Sequence, residues 1–275
     1  MRRIFPRSLL LTLVLLPWLA GGCATVPATV AIGDQEGQRV GRLFLETLAA
    51  QRCCPRGLDA QVRVNLRSIW QNGSLQGFVQ GMAPSYLKFV GVNPLGQPML
   101  ILGSDGESFR AVVAPEAKWY EGAVETDAFR KYAPAGFDPA RGFFWLIGRL
   151  APDNLTIEAV EQDAEGGGQW LTARYSGEQV RQQVLFDPHT RLVRRHLVLG
   201  ADGKPVVDVS YDAYQQVAAG QPEVCRLPGM IRVESSAHAG ASMEILLGDW
   251  LTETTFTPLD FVVPVPPDFV RVPVQ

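Results

Sequence analysis

Apolar residues fall at helical spacing once near the start of the chain, then alternate with polar ones for most of the remainder. Val40, Leu43, Phe44, Thr47 and Leu48 share one stripe, which predicts an amphipathic helix with Asp34 as its N-cap. Cys54-Pro55 and Gly57 end it. From Gln61 to Trp70 the period changes to two: Val62, Val64 and Leu66 alternate with Arg63, Asn65 and Arg67, the signature of a half-buried strand. Similar segments follow at 75–82, 86–92, 98–103 and 107–113. They resume at 155–161, 169–176, 179–186, 191–199, 205–214, 229–236, 242–248 and 251–257. Turn residues separate them, among them Ser104-Asp105-Gly106, Gly166-Gly167-Gly168 and Ala201-Asp202-Gly203. About ten to twelve antiparallel strands in succession predict one large curled sheet or barrel.

Residues 124–150 interrupt the strands. Glu125–Tyr132 reads as a short helix, and Pro139 stands at the first position of a second, Ala140–Leu150. Phe143, Phe144, Trp145, Leu146, Ile147 and Leu150 make that second helix apolar nearly all round, so it must be buried on more than one side. A curled sheet plugged by it would enclose an apolar interior. Strand periodicity does not distinguish a filled interior from one that holds a ligand, although Gly77, Gly81 and Gly91 lean towards open space.

The first residues do not belong to the fold. Arg2, Arg3 and Arg7 precede a short apolar run from Ser8 to Ala20, too short to span ~30 Å of hydrocarbon and broken by Pro17. The run exits through Leu19-Ala20-Gly21-Gly22-Cys23, which resembles the bacterial lipobox. Residues 1–22 are therefore expected to be a signal peptide and Cys23 a lipidated N-terminus, anchored by acyl chains at ~0.8 kcal/mol per buried CH₂. Ala24 after the cysteine points to the outer membrane, with the folded part facing the periplasm. Residues 24–33, small and uncharged, suit a tether, and the folded domain is expected over 34–257.

Composition narrows the function. The chain has 275 residues, 47% of them apolar and 19% charged, with a net charge of −3. Loss of the three signal arginines leaves 22 basic against 28 acidic residues, a balance that excludes a nucleic-acid footprint. No nucleophile elbow, zinc-binding helix motif or pair of histidines at metal-ligand spacing occurs, so neither a catalytic site, a metal site nor a cofactor is expected. The run Arg191, Arg194, Arg195, His196 reads as a solvated sheet face, and Asp260 and Asp268 as loop carboxylates. Of the cysteines beyond Cys23, Cys225 is expected to pair with Cys53 or Cys54, since adjacent cysteines bridge each other only under strain.

Tyr86–Gly106 places Asn93-Pro94-Leu95-Gly96 between two strands, the second ending in Ser104-Asp105-Gly106. With this turn, the order helix, strands, turn, strands, apolar helical segment, strands resembles the LolA/LolB-like superfamily, and in particular its LolB branch of outer-membrane lipoprotein receptors. Trp145-Leu146-Ile147-Gly148-Arg149-Leu150 is similar to a segment of the family's lid. The resemblance implies a mainly β fold, an incomplete antiparallel β-barrel with an N-terminal helix and a helical lid over an apolar cavity. It implies acyl chains of lipids or lipoproteins as ligands and a periplasmic carrier protein as donor. Residues 258–275, with five prolines, form an extended tail that LolB lacks.

Phe143, Phe144 and Ile147 are then expected at the cavity mouth. In Asn93-Pro94-Leu95-Gly96 each residue suits a type I turn, which leaves Leu95 at its tip. The resemblance gives that leucine the role of a membrane-transfer residue. The competing reading is a sensor or assembly lipoprotein of the same fold, with a filled core and protein partners.

Overall fold

The computed structural model describes residues 26–67, 72–130, 137–216, 225–235, 242–251 and 255–274; the signal stretch and Cys23 lie outside them. Val40, Phe44 and Leu48 are buried on helix α1 (Asp34–Ala50). Gly33 rather than Asp34 is the N-cap; Asp34 and Glu36 instead place negative charge in the first turn, where the helix dipole favours it. Phe44 meets Phe186 edge-on at 5.1 Å, a contact worth ~0.5–1.5 kcal/mol beyond its area. A 3₁₀ turn (Gln51–Cys53) and extended Cys54 release the chain into the sheet.

The early strands are β1 (Thr29–Ala31), β2 (Gly57–Arg67), β3 (Asn72–Met82), β4 (Tyr86–Val92) and β5 (Pro98–Ser104). β6 (Ser108–Val113) and β7 (Lys118–Ala123) complete the first run. After the interlude come β8 (Leu155–Asp163), β9 (Gln169–Tyr175), β10 (Arg181–Asp187), β11 (Leu192–Leu199) and β12 (Pro205–Asp212). A two-residue ribbon, β13 (Gln215–Gln216) with β14 (Arg226–Leu227), leads to β15 (Met230–Ser235), β16 (Ser242–Leu251) and β17 (Val270–Val272). Among the described residues fifteen strands form one sheet in the order β1-β8-β9-β10-β11-β12-β15-β16-β2-β3-β4-β5-β6-β7-β17. Every neighbour pair is antiparallel except β7 with β17. β1 and β17 are the outer strands and do not pair, so the sheet is an incomplete barrel.

The count exceeds the ten to twelve expected because β1, β7 and β17 carry little alternation of their own. Of the strand expected at 251–257, Leu251 is the last residue of β16, 252–254 lie outside the described residues, and 255–257 are irregular. Two boundaries also move. Residues 29–31, assigned to the tether, are the edge strand β1, with Thr29 Oγ1 donating to Glu161 Oε1 at 3.0 Å. The proline-rich tail, expected as an extended segment, docks across one cross-strand row of the sheet: Lys88, Gly103, Arg110 and Glu121. Lys88 Nζ donates to Asp260 O (2.8 Å), Arg110 Nη1 donates to Val263 O (3.0 Å), and Arg271 reaches Glu121 at 3.4 Å. Phe261 and Val263 are buried, and a Cβ at position 103 would lie 2.6 Å from Val263 Cγ2. Gly103 is therefore the seat of the tail.

The interlude is less helical than its apolar run implies. α2 spans Asp127–Arg130, and residues 131–136 lie outside the described residues. A 3₁₀ turn (Pro139–Arg141) passes into α3 (Gly142–Leu146), which ends four residues before the expected Leu150. Gly148 takes φ +65°, a left-handed conformation that stops the helix. α1 and the 139–151 segment pack on the inner face of the sheet, against Leu58, Leu171, Val184, Val207 and Ile231 among others. The early glycines open no void there: Gly81 makes room for Phe143, and Gly91 faces Leu75.

Cys54 is bonded to Cys225, with Cα atoms 5.4 Å apart and 171 residues between them in sequence. Cys53 keeps an exposed free thiol, which donates to Ala50 O. Closing so long a loop is worth about 2–4 kcal/mol. Cys225→Ser is expected to lower unfolding stability in urea by that amount. Cys54→Ser is expected to lose less, because Cys53 Sγ also lies within 4.8 Å of Cys225 Sγ and can replace it.

Candidate functional site

The 139–151 segment is pinned by side chains from distant strands. Tyr211 Oη donates to Trp145 O at 3.0 Å. Tyr214 Oη donates to Val193 O at 2.6 Å and lies 3.4 Å from Gly148 O. A side chain at 148 would strike that hydroxyl, with a Cβ only 2.5 Å from it, so the turn requires glycine. Tyr175 Oη donates to Ala151 O. At the outer rim Arg141 forms ion pairs with Asp138 and, across to the β9–β10 turn, with Glu178. The Arg141 guanidinium also stacks 3.7 Å from the centre of the Tyr175 ring. Arg141 thus latches the segment onto the sheet.

Between this segment and the inner face of β9–β12 lies a cavity of about 590 Å³, within the ~300–1,000 Å³ of small-molecule sites. Phe144, Leu150, Val180, Val198, Leu199 and Val206 supply apolar wall. Arg149, Gln182 and His196 also line it, each more than nine-tenths buried. Register explains their aim: Gln182 pairs with Ala173 and Val198, and His196 with Val184 and Val209, all on the inner face.

His196 Nε2 lies 2.9 Å from Gln182 Oε1, so Nε2 donates and Nδ1 remains an acceptor with no partner. Burial pushes the imidazole down to about 4 from 6.5, so it is neutral at physiological pH. Arg149 Nη2 donates to Arg226 O at 3.3 Å, but Nε has no partner and no carboxylate pairs with the guanidinium among the described residues. Burial lowers it to about 10, which still leaves it charged. Trp145 Nε1, on the same wall, is likewise buried and unpartnered.

The expected lid residues separate. Phe144 lines the cavity. Phe143 and Ile147, expected beside it, are instead 2% exposed in the main core, where Phe143 packs over Gly81 of β3. The basic run also divides. A bulge opposite Leu185 and Phe186 leaves Arg194 outside the ladder, near Asp187 at 3.6 Å, and Arg195 pairs with Asp208. His196 turns into the cavity rather than to solvent. Asn93-Pro94-Leu95-Gly96 forms a closed turn: Gly96 N donates to Asn93 O (2.8 Å), while Asn93 Oδ1 accepts from Leu95 N and Gln97 N. Leu95 is 84% exposed at its tip. By register this turn lies at the same end of the strand ladder as the 176–180 and 200–204 turns that border the cavity.

Arg149, Gln182 and Arg141 were not singled out from sequence. Arg149 carried a usable signal, a lone charge inside an otherwise apolar buried run; Gln182 carried none.

No protein-family model and no curated protein matches the sequence. Solved structures do match. A DUF1329 family protein from Desulfovibrio piger superposes with a TM-score of 0.57 at 10% identity, covering 82% of this chain and 96% of that one. A Vibrio parahaemolyticus domain described as an outer membrane lipoprotein-sorting protein gives 0.56 at 10% identity, covering 83% and 97%. A LolA superfamily protein from Nitrosomonas europaea gives 0.53 at 10% identity, covering 81% and 97%. The chain therefore has the LolA-like fold, an incomplete barrel with a lid segment over its inner face. No described helix is long and apolar enough to cross a membrane.

The buried neutral His196 makes stability depend on pH. The unfolded chain binds its proton near pH 6.5 and the folded chain only near 4, so stability is lost as pH falls through that window, by up to about 3 kcal/mol. Urea unfolding at pH 7 and pH 4.5 is expected to show this loss, reduced in His196→Leu.

Proposed function

We propose that the protein is an envelope lipoprotein, anchored through Cys23 in the outer membrane. It binds acyl chains in the cavity under the 139–151 segment and works in the localisation of lipids or lipoproteins as a carrier, not an enzyme. The observation that carries this reading is the 590 Å³ cavity with its largely apolar wall, roofed by a separately pinned segment. The fold shared with proteins described as LolA-superfamily and lipoprotein-sorting members supports it. Each methylene moved from water into such a wall gains ~0.8 kcal/mol, so a single long chain suffices for tight binding. Closeness to the LolB branch rests on Leu95. Burying that side chain in a membrane surface yields ~1.5–3 kcal/mol, enough to bias a tethered protein during transfer and too little to hold it there. The donor is a periplasmic carrier protein.

Native mass spectrometry of purified residues 24–275 is expected to find co-extracted acyl lipid. Phe144→Glu is expected to reduce binding of a fluorescent fatty acid at least tenfold with little change in urea midpoint; equal loss of both would make Phe144 plain core. Leu95→Glu is expected to preserve fold and acyl binding while slowing transfer of bound lipoprotein into liposomes. Unchanged transfer would remove the LolB-like reading.

A further inference from the structure

We propose that the cavity selects acyl ligands with an anionic head group, and that Arg149 is the residue that holds the head. This rests on the acyl-binding reading above and adds what that reading leaves open, the chemical class at the polar end of the chain. The wall of the cavity is apolar enough for any hydrocarbon, so selectivity must come from its few polar atoms. A guanidinium 7% exposed, with an unused Nε–H and no carboxylate partner among the described residues, is an expensive group to keep in an apolar interior. Its guanidinium donates to the Arg226 carbonyl, a neutral acceptor, and the nearby Tyr214 hydroxyl is neutral too, so its charge has no counter-ion among the described residues. A carboxylate or phosphate entering the cavity supplies the missing counter-charge and accepts the Nε–H in a charge-assisted hydrogen bond. Trp145 Nε1–H, unpartnered on the same wall, offers a second donor, and His196 Nδ1 an acceptor for a hydroxyl beside the anion.

Those three atoms discriminate between ligands that an apolar pocket treats alike. The acylated N-terminus of a lipoprotein carries ester, thioether and amide groups and no anion at the acyl junction, so it leaves Arg149 uncompensated. A fatty acid or a lysophospholipid compensates it, and the lysophospholipid also brings a glycerol hydroxyl. The client favoured by this site is therefore a single-chain anionic lipid.

The test compares palmitate with hexadecanol, which share a sixteen-carbon chain and differ in head-group charge, on the delipidated 24–275 protein, with inorganic phosphate as the chain-free anion. Palmitate is expected to bind at least about tenfold more tightly than hexadecanol, equivalent to ~1.4 kcal/mol, and phosphate alone not measurably at 1 mM. Arg149→Met, apolar and of similar length, is expected to collapse the palmitate-to-hexadecanol ratio to about one, whereas Arg149→Lys keeps most of it. Circular dichroism and the urea midpoint establish that both variants fold. Equal affinities in the wild type, or a preference that survives in Arg149→Met, overturns the proposal while leaving acyl binding intact. Phosphate binding that depends on Arg149 without any palmitate advantage overturns it in favour of a simple anion site. Binding of neither palmitate nor hexadecanol removes the acyl reading itself, and this inference with it.

Discussion

The backbone of residues 145–151 is buried but stops being helical at Ile147, so Trp145 O keeps one internal donor, Gly148 N at 3.3 Å, and the carbonyls beyond it draw on donors from other elements. Three tyrosines provide them: Tyr211 to Trp145 O, Tyr214 beside Gly148 O, and Tyr175 to Ala151 O. Burial pushes all three phenols well above their ordinary range, so each remains a neutral donor and brings no charge into the interior. Gly148 is the complement of this arrangement, since its left-handed turn lets the Tyr214 hydroxyl approach where a Cβ would collide. Without these bonds the segment would lose its fixed distance from the sheet, and the cavity beneath it would lose its roof.

The sheet is divided by what covers it. From β8 across to β3 the inner face is covered by α1 and the 139–151 segment, with the cavity left between that segment and β9–β12. On β4, Leu87 and Phe89 still pack on the main core; further out the inner face carries a small cluster around Phe109 and Phe129, which Val274 joins, while residues 260–263 brace the opposite face. The two free edges belong to three-residue strands, β1 and β17, which present few unpaired backbone groups to other chains.

The cavity combines hydrocarbon walls with polar atoms left unsatisfied. In a core meant only to pack, Arg149, His196 and Trp145 would be replaced by apolar groups of similar volume at little cost or with a gain in stability. Their presence along one cavity separates this region from the space around Phe44 and Phe186, where the buried Thr47 hydroxyl is satisfied by Leu43 O and the other core members are apolar. The Arg141 latch closes the same region from the rim through Glu178.

Residue spacing and turn chemistry determined the N-terminal helix, most of the long strands and the turn at Asn93–Gly96 with Leu95 at its tip, because those features depend on residues within a few positions of one another. The apolar run at 143–150 likewise required burial. Which of its side chains face a core and which face a cavity was decided by tertiary structure: Phe143 and Phe144 are adjacent and equally apolar, and only the packing of Gly81 against one of them distinguishes the two. The same holds for the tail, whose prolines forbid an interior strand yet leave β17 free to pair at the edge. It holds for His196 too, since alternation assigns it a face of its strand but not what that face meets. A residue's environment in this fold is set by strands that are distant in sequence, and the spacing of residues along one strand carries no record of them.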